Sequence, residues 1–111
     1  MGKFYSKVAG VTHKGPDGTD RQSVIAKHIK VGSKLEAIPE PDNKYDKNAI
    51  GLWFTKKGFF SSSRFHIGYI DADKADRLSG EMQRGKEVLI TVKDITGGGK
   101  KALGLNLIID S

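Results

Sequence analysis

The stretch PEPDNKYDKNAI, residues 39–50, separates two segments with strand character and decides how they are joined. Its two prolines end the first strand, and its Asp and Asn side chains can hydrogen-bond to their own backbone in consecutive turns. We therefore predict an ordered loop. Within it, Tyr45 and Asp46 have no evident structural task, and Lys44 and Lys47 flank them. A flat ring, a hydrogen-bond acceptor and two cations suit a nucleotide, so we place the binding site here.

Outward from this loop, the chain alternates between strand-like and helix-like segments. Asp20 is placed to cap a first helix that Gly32 would end, and Asp71 is placed to cap a second helix. The apolar residues of the second helix would face inward: Ala72, Ala75, Leu78 and Met82. The predicted strands cover residues 4–12, 34–39, 49–55, 64–70, 87–96 and 102–109, and the predicted helices cover residues 21–30 and 72–84.

This arrangement predicts a mainly β fold, a small OB-like six-stranded β-barrel with two short helices. A chain of 111 residues is too short for these strands to form a full sandwich, and it suits one compact domain over residues 1–111. In the strand at 49–55, Trp53 and Phe54 point to opposite faces, so one of them belongs to the core. Barrels of the OB type commonly bind single strands or oligosaccharides on one face.

The composition narrows the classes of partner and compartment. The chain has 19 Lys and Arg against 13 Asp and Glu, and this formal charge of +6 favours polyanionic partners. It has no cysteine, which excludes disulfides and thiolate metal sites and favours the reducing cytoplasm. No segment has the apolar length of a signal peptide or a bilayer span, so we expect a cytoplasmic protein without membrane contact.

Four segments together resemble the HIRAN domain, a family that also occurs as the N-terminal module of Snf2-type helicases in replication-fork repair. They are VAGVT (8–12), KLEAI (34–38), PDNKYDKNAI (41–50) and IGYI (67–70), and the resemblance covers nearly the whole chain. It implies an OB-like barrel that holds the free 3′ end of single-stranded DNA. The chain would then resemble the stand-alone bacterial or phage members of the family.

The resemblance also implies roles for individual residues. Tyr45 and Asp46 match a pair that contacts the terminal nucleotide, in which the carboxylate accepts a hydrogen bond from the 3′-hydroxyl. Thr12 and His13 stand where the family has a stacking aromatic, and Tyr69 stands where it has a histidine that contacts phosphate. With nearby lysines that would attract the DNA backbone, the candidate nucleic-acid-binding residues are Thr12, His13, Lys44, Tyr45, Asp46, Lys47, Tyr69 and Lys74.

Two other interpretations stand beside this one. Taken by themselves, Tyr45 and Asp46 would most often be a rim aromatic and a turn-capping carboxylate, and it is the resemblance that favours a binding role. A second hypothesis for the function is a protein-interaction module. In that hypothesis Phe59 and Phe60, at a hairpin tip over residues 56–63, anchor a partner, and contact with nucleic acid is incidental.

We expect no catalysis, no metal and no cofactor. The three histidines, His13, His28 and His66, lack the spacing of a ligand pair, and no nucleophile is placed beside a base in a known motif. We expect a monomer that binds single-stranded DNA 3′ ends in repair or replication, with a helicase or a nuclease as a possible partner.

Overall fold

The computed structural model describes residues 2–111, which form six strands and two helices. The strands are β1 (Lys3–Ala9), β2 (Lys34–Pro39), β3 (Ile50–Lys57), β4 (Ser62–Ile70), β5 (Leu89–Gly98) and β6 (Lys101–Asp110). The helices are α1 (Arg21–His28) and α2 (Ala72–Gln83). The predicted mainly β class, with six strands and two helices, is confirmed. Met1, which the predicted domain includes, lies outside the described residues.

The six strands close into an antiparallel barrel in the order β1-β4-β3-β2-β5-β6, with β6 returning to β1. β3 and β4 pair from Gly51 opposite Tyr69 to Lys57 opposite Ser62. β1 and β4 share a much shorter seam, Val8 with Ile70 and Ala9 with Tyr69. The end of this seam therefore brings Tyr69 beside the chain that leaves β1.

The core of the barrel is made of aliphatic side chains that alternate along the strands and point inward. Burial of each such side chain stabilises the fold by about 1.5–3 kcal/mol. Val24 and Ile25 from α1, and Ala75 and Leu78 from α2, pack against the same core. The aliphatic strand residues with at most 1% exposure are Ile50, Leu52, Ile67, Ile90, Val92, Leu107 and Ile109.

The first strand ends earlier than predicted. β1 stops at Ala9 because Gly10 has a φ of +83° and turns the chain. The His13 N–H then donates to the Gly10 carbonyl at 3.0 Å and closes a turn. Thr12 and His13 therefore lie in an exposed turn after the strand and not within it.

The first helix begins as predicted and ends differently. The Asp20 carboxylate accepts from the Ser23 N–H at 3.2 Å, which is the expected N-terminal cap. The prediction that Gly32 caps the other end is wrong. α1 ends at His28 because Ile29 takes an extended conformation that continues the chain away from the helix axis.

The start of the second helix also differs from the prediction. Asp71 occupies the position before α2, but its side chain makes no capping hydrogen bond; its backbone carbonyl accepts from the N–H groups of Lys74 and Ala75 at 2.9 Å. Ala72 is exposed and does not face the core as predicted. The reason is its position in the first turn, where it borders an open cleft.

Candidate nucleic-acid interface

The loop between β2 and β3 is ordered by side chains that hydrogen-bond to their own backbone. The Asn43 Oδ1 atom accepts from the N–H groups of Tyr45 at 2.9 Å and Asp46 at 3.1 Å. The Asp46 Oδ1 atom accepts from the Asn48 N–H at 2.8 Å. These consecutive turns fix the backbone that carries Tyr45 and Asp46, as the sequence predicts.

This geometry leaves the two candidate residues available. The Tyr45 side chain is 96% exposed, so its ring has both faces open. Asp46 does cap a turn, as the structural interpretation of the sequence expects, but a carboxylate can accept about four hydrogen bonds and the Asn48 N–H uses one. Capping and ligand binding are therefore compatible in the same residue.

A cleft of about 490 Å³ lies between this loop and the turn that follows β1. The structure brings four of the eight candidate residues to its walls: His13, Tyr45, Asp46 and Tyr69. The walls also include Lys14, Pro16 and Arg21. Among the described residues that line the cleft, Lys14 and Arg21 are cations and Asp46 is the one acid, so the lining carries a net positive charge.

The other four candidate residues lie outside the cleft walls. Thr12 is exposed in the turn beside His13, and Lys44 and Lys47 are exposed on either side of Tyr45 and Asp46. Lys74 lines a separate groove with Tyr5 and Lys93, and its ammonium group lies 3.9 Å from the Asp73 carboxylate. Contact between a ligand and any of the eight candidate residues stays a prediction.

Arg21 forms the floor of the cleft and is 3% exposed. Its guanidinium donates from Nε to the His66 carbonyl at 3.1 Å and from Nη1 to the Gly10 carbonyl at 2.7 Å. The Nη2 atom lies 2.8 Å from the His66 Nδ1 atom. Within residues 2–111 this guanidinium forms no ion pair with a carboxylate, so its charge faces the cleft without a direct counterion.

The hydrogen-bond roles of the two His66 ring nitrogens follow from their partners. A guanidinium nitrogen only donates, so the His66 Nδ1 atom that faces Arg21 must accept and carries no proton. The Nε2 atom then holds the ring proton and donates to the Glu40 Oε2 atom at 2.9 Å. The ring is fully buried and links Arg21 to Glu40.

Gly51 allows this network to form beneath the loop. A Cβ atom at this position would collide with the Glu40 carboxylate and would lie 2.8 Å from the His66 Nε2 atom. Any side chain would therefore displace the hydrogen bond between Glu40 and His66. Glycine is required at position 51 for steric reasons, since only a residue without a side chain leaves room for Glu40 and His66.

Asp17 supports the same network from the loop before α1. Its carboxylate accepts from the His66 N–H at 3.1 Å and from the Thr19 hydroxyl at 2.7 Å. Burial acts to raise the pKa of Asp17, but these bonds and the bond from the Thr19 N–H outweigh it and hold the pKa below its usual value. Asp17 therefore remains a carboxylate at neutral pH and fixes the backbone of His66.

Tyr69 stands between the floor and the open cleft. Its ring centroid lies 4.8 Å from that of His66, and the Arg21 guanidinium lies 5.6 Å from the same ring. Burial raises the pKa of Tyr69, and the negative charge of Glu40 adds to this effect. The phenol therefore keeps its proton at neutral pH and can donate a hydrogen bond to an anionic oxygen.

Sequence reasoning misses the floor of the cleft. Arg21 was predicted to begin a helix, and His66 to lie within a strand, with no role in the site. One signal was available: a cation at the first position of a helix is disfavoured by the helix dipole, so an arginine there indicates other partners. The acceptors themselves, Gly10 and His66, are 11 and 45 residues away in the sequence and have no local signature.

Membrane-spanning helices and groups of metal-ligating side chains can be searched for in residues 2–111. Of the two helices between residues 2 and 111, neither is long and apolar enough to cross a membrane. Across the same residues, no three His, Asp or Glu side chains are grouped where a metal ion would be held.

Comparison with known proteins gives a family match and two similar folds. A sequence profile of the HIRAN domain matches residues 1–103. A search of curated protein sequences gives no significant match. The HIRAN domain of human HLTF superimposes with a TM-score of 0.65 at 17% identity, covering 97% of this chain and 73% of that one. A protein from Lactobacillus plantarum gives a TM-score of 0.67 at 17% identity, covering 99% of this chain and 100% of that one.

Proposed function

The chain belongs to the HIRAN domain family, whose members are DNA-binding domains, and on that premise we propose that it captures free 3′-hydroxyl ends of single-stranded DNA. The observation that carries this proposal is one juxtaposition. An exposed tyrosine and a carboxylate with unused acceptor capacity, Tyr45 and Asp46, stand over a buried guanidinium, that of Arg21, in one cleft.

Asp46 is the residue that distinguishes a hydroxyl end from a phosphate end. The carboxylate accepts a hydrogen bond from a terminal 3′-hydroxyl. A terminal phosphate in the same place would be a like charge. At about 4 Å, this repulsion costs about 1 kcal/mol in water and about 4 kcal/mol near a protein surface. One side chain therefore favours one kind of end and disfavours the other.

The aromatic residues of the cleft hold the terminal nucleotide without reading its base. Stacking of a base on an aromatic ring contributes about 1–3 kcal/mol and depends little on base identity. Tyr45 offers an open ring for this contact, and His13 lines the cleft with it. We therefore expect the affinity to depend little on the base sequence of the DNA and strongly on the presence of a free 3′-hydroxyl.

The phosphate that precedes the terminal sugar meets donors and positive charge. Tyr69 donates from its hydroxyl, Lys14 attracts the phosphate from the cleft wall, and Arg21 attracts it from the floor. Lys44 and Lys47 add attraction outside the cleft. These contributions weaken as salt rises, because each neutralised phosphate releases counterions.

In this proposal the protein is not an enzyme and works as a monomer. It would mark a DNA end in repair or replication and bring a helicase or a nuclease to it. The geometry of the cleft supports binding chemistry, since each of its polar groups is assigned to holding an end or to holding another group of the site.

The test uses fluorescence anisotropy with labelled oligo-dT at low salt. The parent protein is titrated with a linear strand that ends in a 3′-hydroxyl, the same strand with a 3′-phosphate, and a circular strand of similar length. We expect the hydroxyl-ended strand to bind at least tenfold more tightly than the other two. Equal binding of all three strands would contradict end capture and leave a general affinity for single strands.

A further inference from the structure

A row of aromatic and cationic groups runs from the cleft along β3 and β4, through the fully buried ring of His66 to the partly buried Trp53 and the exposed Arg64. The ring centroids of Tyr69 and His66 lie 4.8 Å apart, and those of His66 and Trp53 lie 4.9 Å apart. The Arg64 guanidinium lies over the Trp53 ring at 4.8 Å from its centroid. Phe54, the neighbour of Trp53, packs on the core, as predicted for the opposite face of the strand.

The same two strands end in a hairpin tip with two exposed phenylalanines. Phe59 and Phe60 are 93% and 94% exposed, and their rings meet edge to face at 4.7 Å. The Gly58 N–H donates to the Ser61 carbonyl at 2.6 Å and closes the turn. The tip therefore presents an aromatic pair that no part of residues 2–111 covers.

The charge of this hairpin is of one sign. Between Asp46 and Asp71 the chain has four cations and no acid: Lys47, Lys56, Lys57 and Arg64. The nearest acidic partner comes from β2, where the Glu36 carboxylate lies 2.9 Å from the Arg64 guanidinium. Both side chains of this pair are about half exposed, so the pair is weak and can be exchanged for a phosphate.

We propose that the β3–β4 hairpin is a second contact for the strand whose 3′ end the cleft holds, with Arg64, Lys56 and Lys57 on its phosphates and Phe59 and Phe60 on its bases. The occupant is a single strand of nucleic acid, because exposed aromatics beside cations of one sign form the stacking and electrostatic surface that such a strand needs. The inference rests on the proposed function, since the row of rings begins in the cleft.

The dimensions set the length of strand that reaches the tip. Tyr69 and Ser62 are seven positions apart in β4, which at about 3.3 Å per residue is about 23 Å. Stacked nucleotides advance by about 3.4 Å each, so the tip lies about seven nucleotides from the end. This is within the range of about 4–16 nucleotides that OB folds occupy. A trinucleotide held in the cleft would not reach the tip, whereas a dodecanucleotide would reach it.

The experiment measures binding by fluorescence anisotropy for the parent and for the double variant Phe59→Ser/Phe60→Ser. The ligands are dT3 and dT12, both with 3′-hydroxyl ends, and circular oligo-dT. We expect the parent to bind dT12 more tightly than dT3. The double variant should lose about tenfold in affinity for dT12 and for the circular strand, and less than twofold for dT3. Val31→Ser, at an apolar residue that is 66% exposed in the turn after α1, is the control and should bind as the parent does.

A pair of lysine variants separates local contact from net charge. Lys56→Gln/Lys57→Gln should reduce the salt dependence of dT12 binding, by up to about 1.4 in the slope of log K against log salt. Lys100→Gln/Lys101→Gln makes the same change of charge on the exposed β5–β6 tip and should leave the slope unchanged. Equal effects of the two double variants would contradict the proposal.

Trp53 provides an independent readout because it is the single tryptophan of the chain. Its ring lies in the row between Arg64 and His66, so dT12 should change its emission and dT3 should not. Unchanged dT12 affinity in the phenylalanine variant would overturn the proposal and leave the tip for a protein partner. Loss of 3′-hydroxyl preference in the parent, with the hairpin effect intact, would instead contradict the proposed function alone.

Discussion

The floor and the rim of the cleft are built on opposite principles. The floor is Arg21, and it is supported from beneath the cleft by the buried His66 and the partly buried Glu40, whose polar atoms bond in sequence. The rim consists of Tyr45 and Asp46, which are fixed through their backbone and keep their functional groups available. The difference separates two tasks: the floor maintains the shape and charge of the site, and the rim makes contact. Changes to the floor should therefore lower stability, and changes to the rim should lower binding.

The largest effect is expected at Arg21. In Arg21→Met, the His66 carbonyl and the His66 Nδ1 atom lose their donor, and each unsatisfied buried acceptor costs about 1–3 kcal/mol. The Gly10 carbonyl loses one donor but keeps its bond from the His13 N–H. We expect the free energy of unfolding to fall by about 3 kcal/mol or more, measured by urea denaturation. Arg21→Lys keeps the charge but not the three bonds and should restore only part of the stability. A variant as stable as the parent would show that the floor does not hold the fold.

Gly51→Ala perturbs the side chains that support the floor by adding a methyl group instead of removing a hydrogen bond donor. The added methyl group would displace Glu40 from His66. Glu40 also accepts from the Asn43 side-chain amide at 3.1 Å, and Asn43 holds the backbone of Tyr45 and Asp46, so part of the effect should reach the rim. Overpacking of this kind costs about 1–3 kcal/mol. We expect a lower midpoint of urea denaturation, with weaker DNA binding only as far as the cleft is distorted. An unchanged midpoint would mean that the hydrogen bond between Glu40 and His66 can move at no cost.

Tyr45→Ala is the matching test of the rim. Because the ring is 96% exposed, its removal should change the free energy of unfolding by less than about 0.5 kcal/mol. Binding of hydroxyl-ended oligo-dT should weaken by about 1–3 kcal/mol, the contribution of one stacked base. Tyr5→Ala, at a tyrosine that is 65% exposed in the groove with Lys74, tests whether that groove takes part. Destabilisation of Tyr45→Ala comparable to that of Gly51→Ala would remove the distinction between floor and rim.

The smallest effect is expected from Asp17→Asn, which should change how the stability of the fold depends on pH. Its pKa is lowered in the folded protein, so it contributes stability above its ordinary value of 3.8 that is lost as pH falls through the lower, folded value. Asp17→Asn should therefore show a smaller loss of stability on acidification below about pH 4 than the parent. At neutral pH the variant should be less stable by about 1 kcal/mol, because one oxygen acceptor is lost. Thermal unfolding across this pH range measures both effects, and parallel curves for the two proteins would contradict the role of Asp17.

The sequence predicts the rim better than the floor. The turns around Tyr45 and Asp46 depend on neighbours within a few residues, and Asn43 and Asp46 act as the local pattern indicates. The expectation that Asn48 bonds within its own turn is wrong, since its side chain donates to Asp76 of α2 at 3.3 Å. The barrel follows from the alternation of apolar residues and from the turns between them. Whether the eight candidate residues bind a nucleotide stays a prediction, although four of them share one cleft.

The floor and some element ends could not be predicted because they depend on distant partners. Arg21 binds groups contributed by the end of β1 and by β4, which only the closed barrel brings together. β1 was predicted to continue to Thr12 because its β-branched residues suit a strand. Instead, the positive φ of Gly10 turns the chain and ends the strand at Ala9. Ala72 has the right spacing for the core, but its place beside the cleft leaves it exposed.

The most direct test of the account is the preference for a hydroxyl end over a phosphate end in Asp46→Asn. Asparagine retains an oxygen that can accept from the Asn48 N–H, so the loop should keep its shape while the charge is removed. Anisotropy with 3′-hydroxyl and 3′-phosphate oligo-dT at one fixed low salt concentration gives the ratio of affinities. We predict that the at least tenfold preference of the parent falls to within about twofold, mainly because the phosphate end binds more tightly. A preference that survives in the variant would contradict Asp46 as the group that recognises the end.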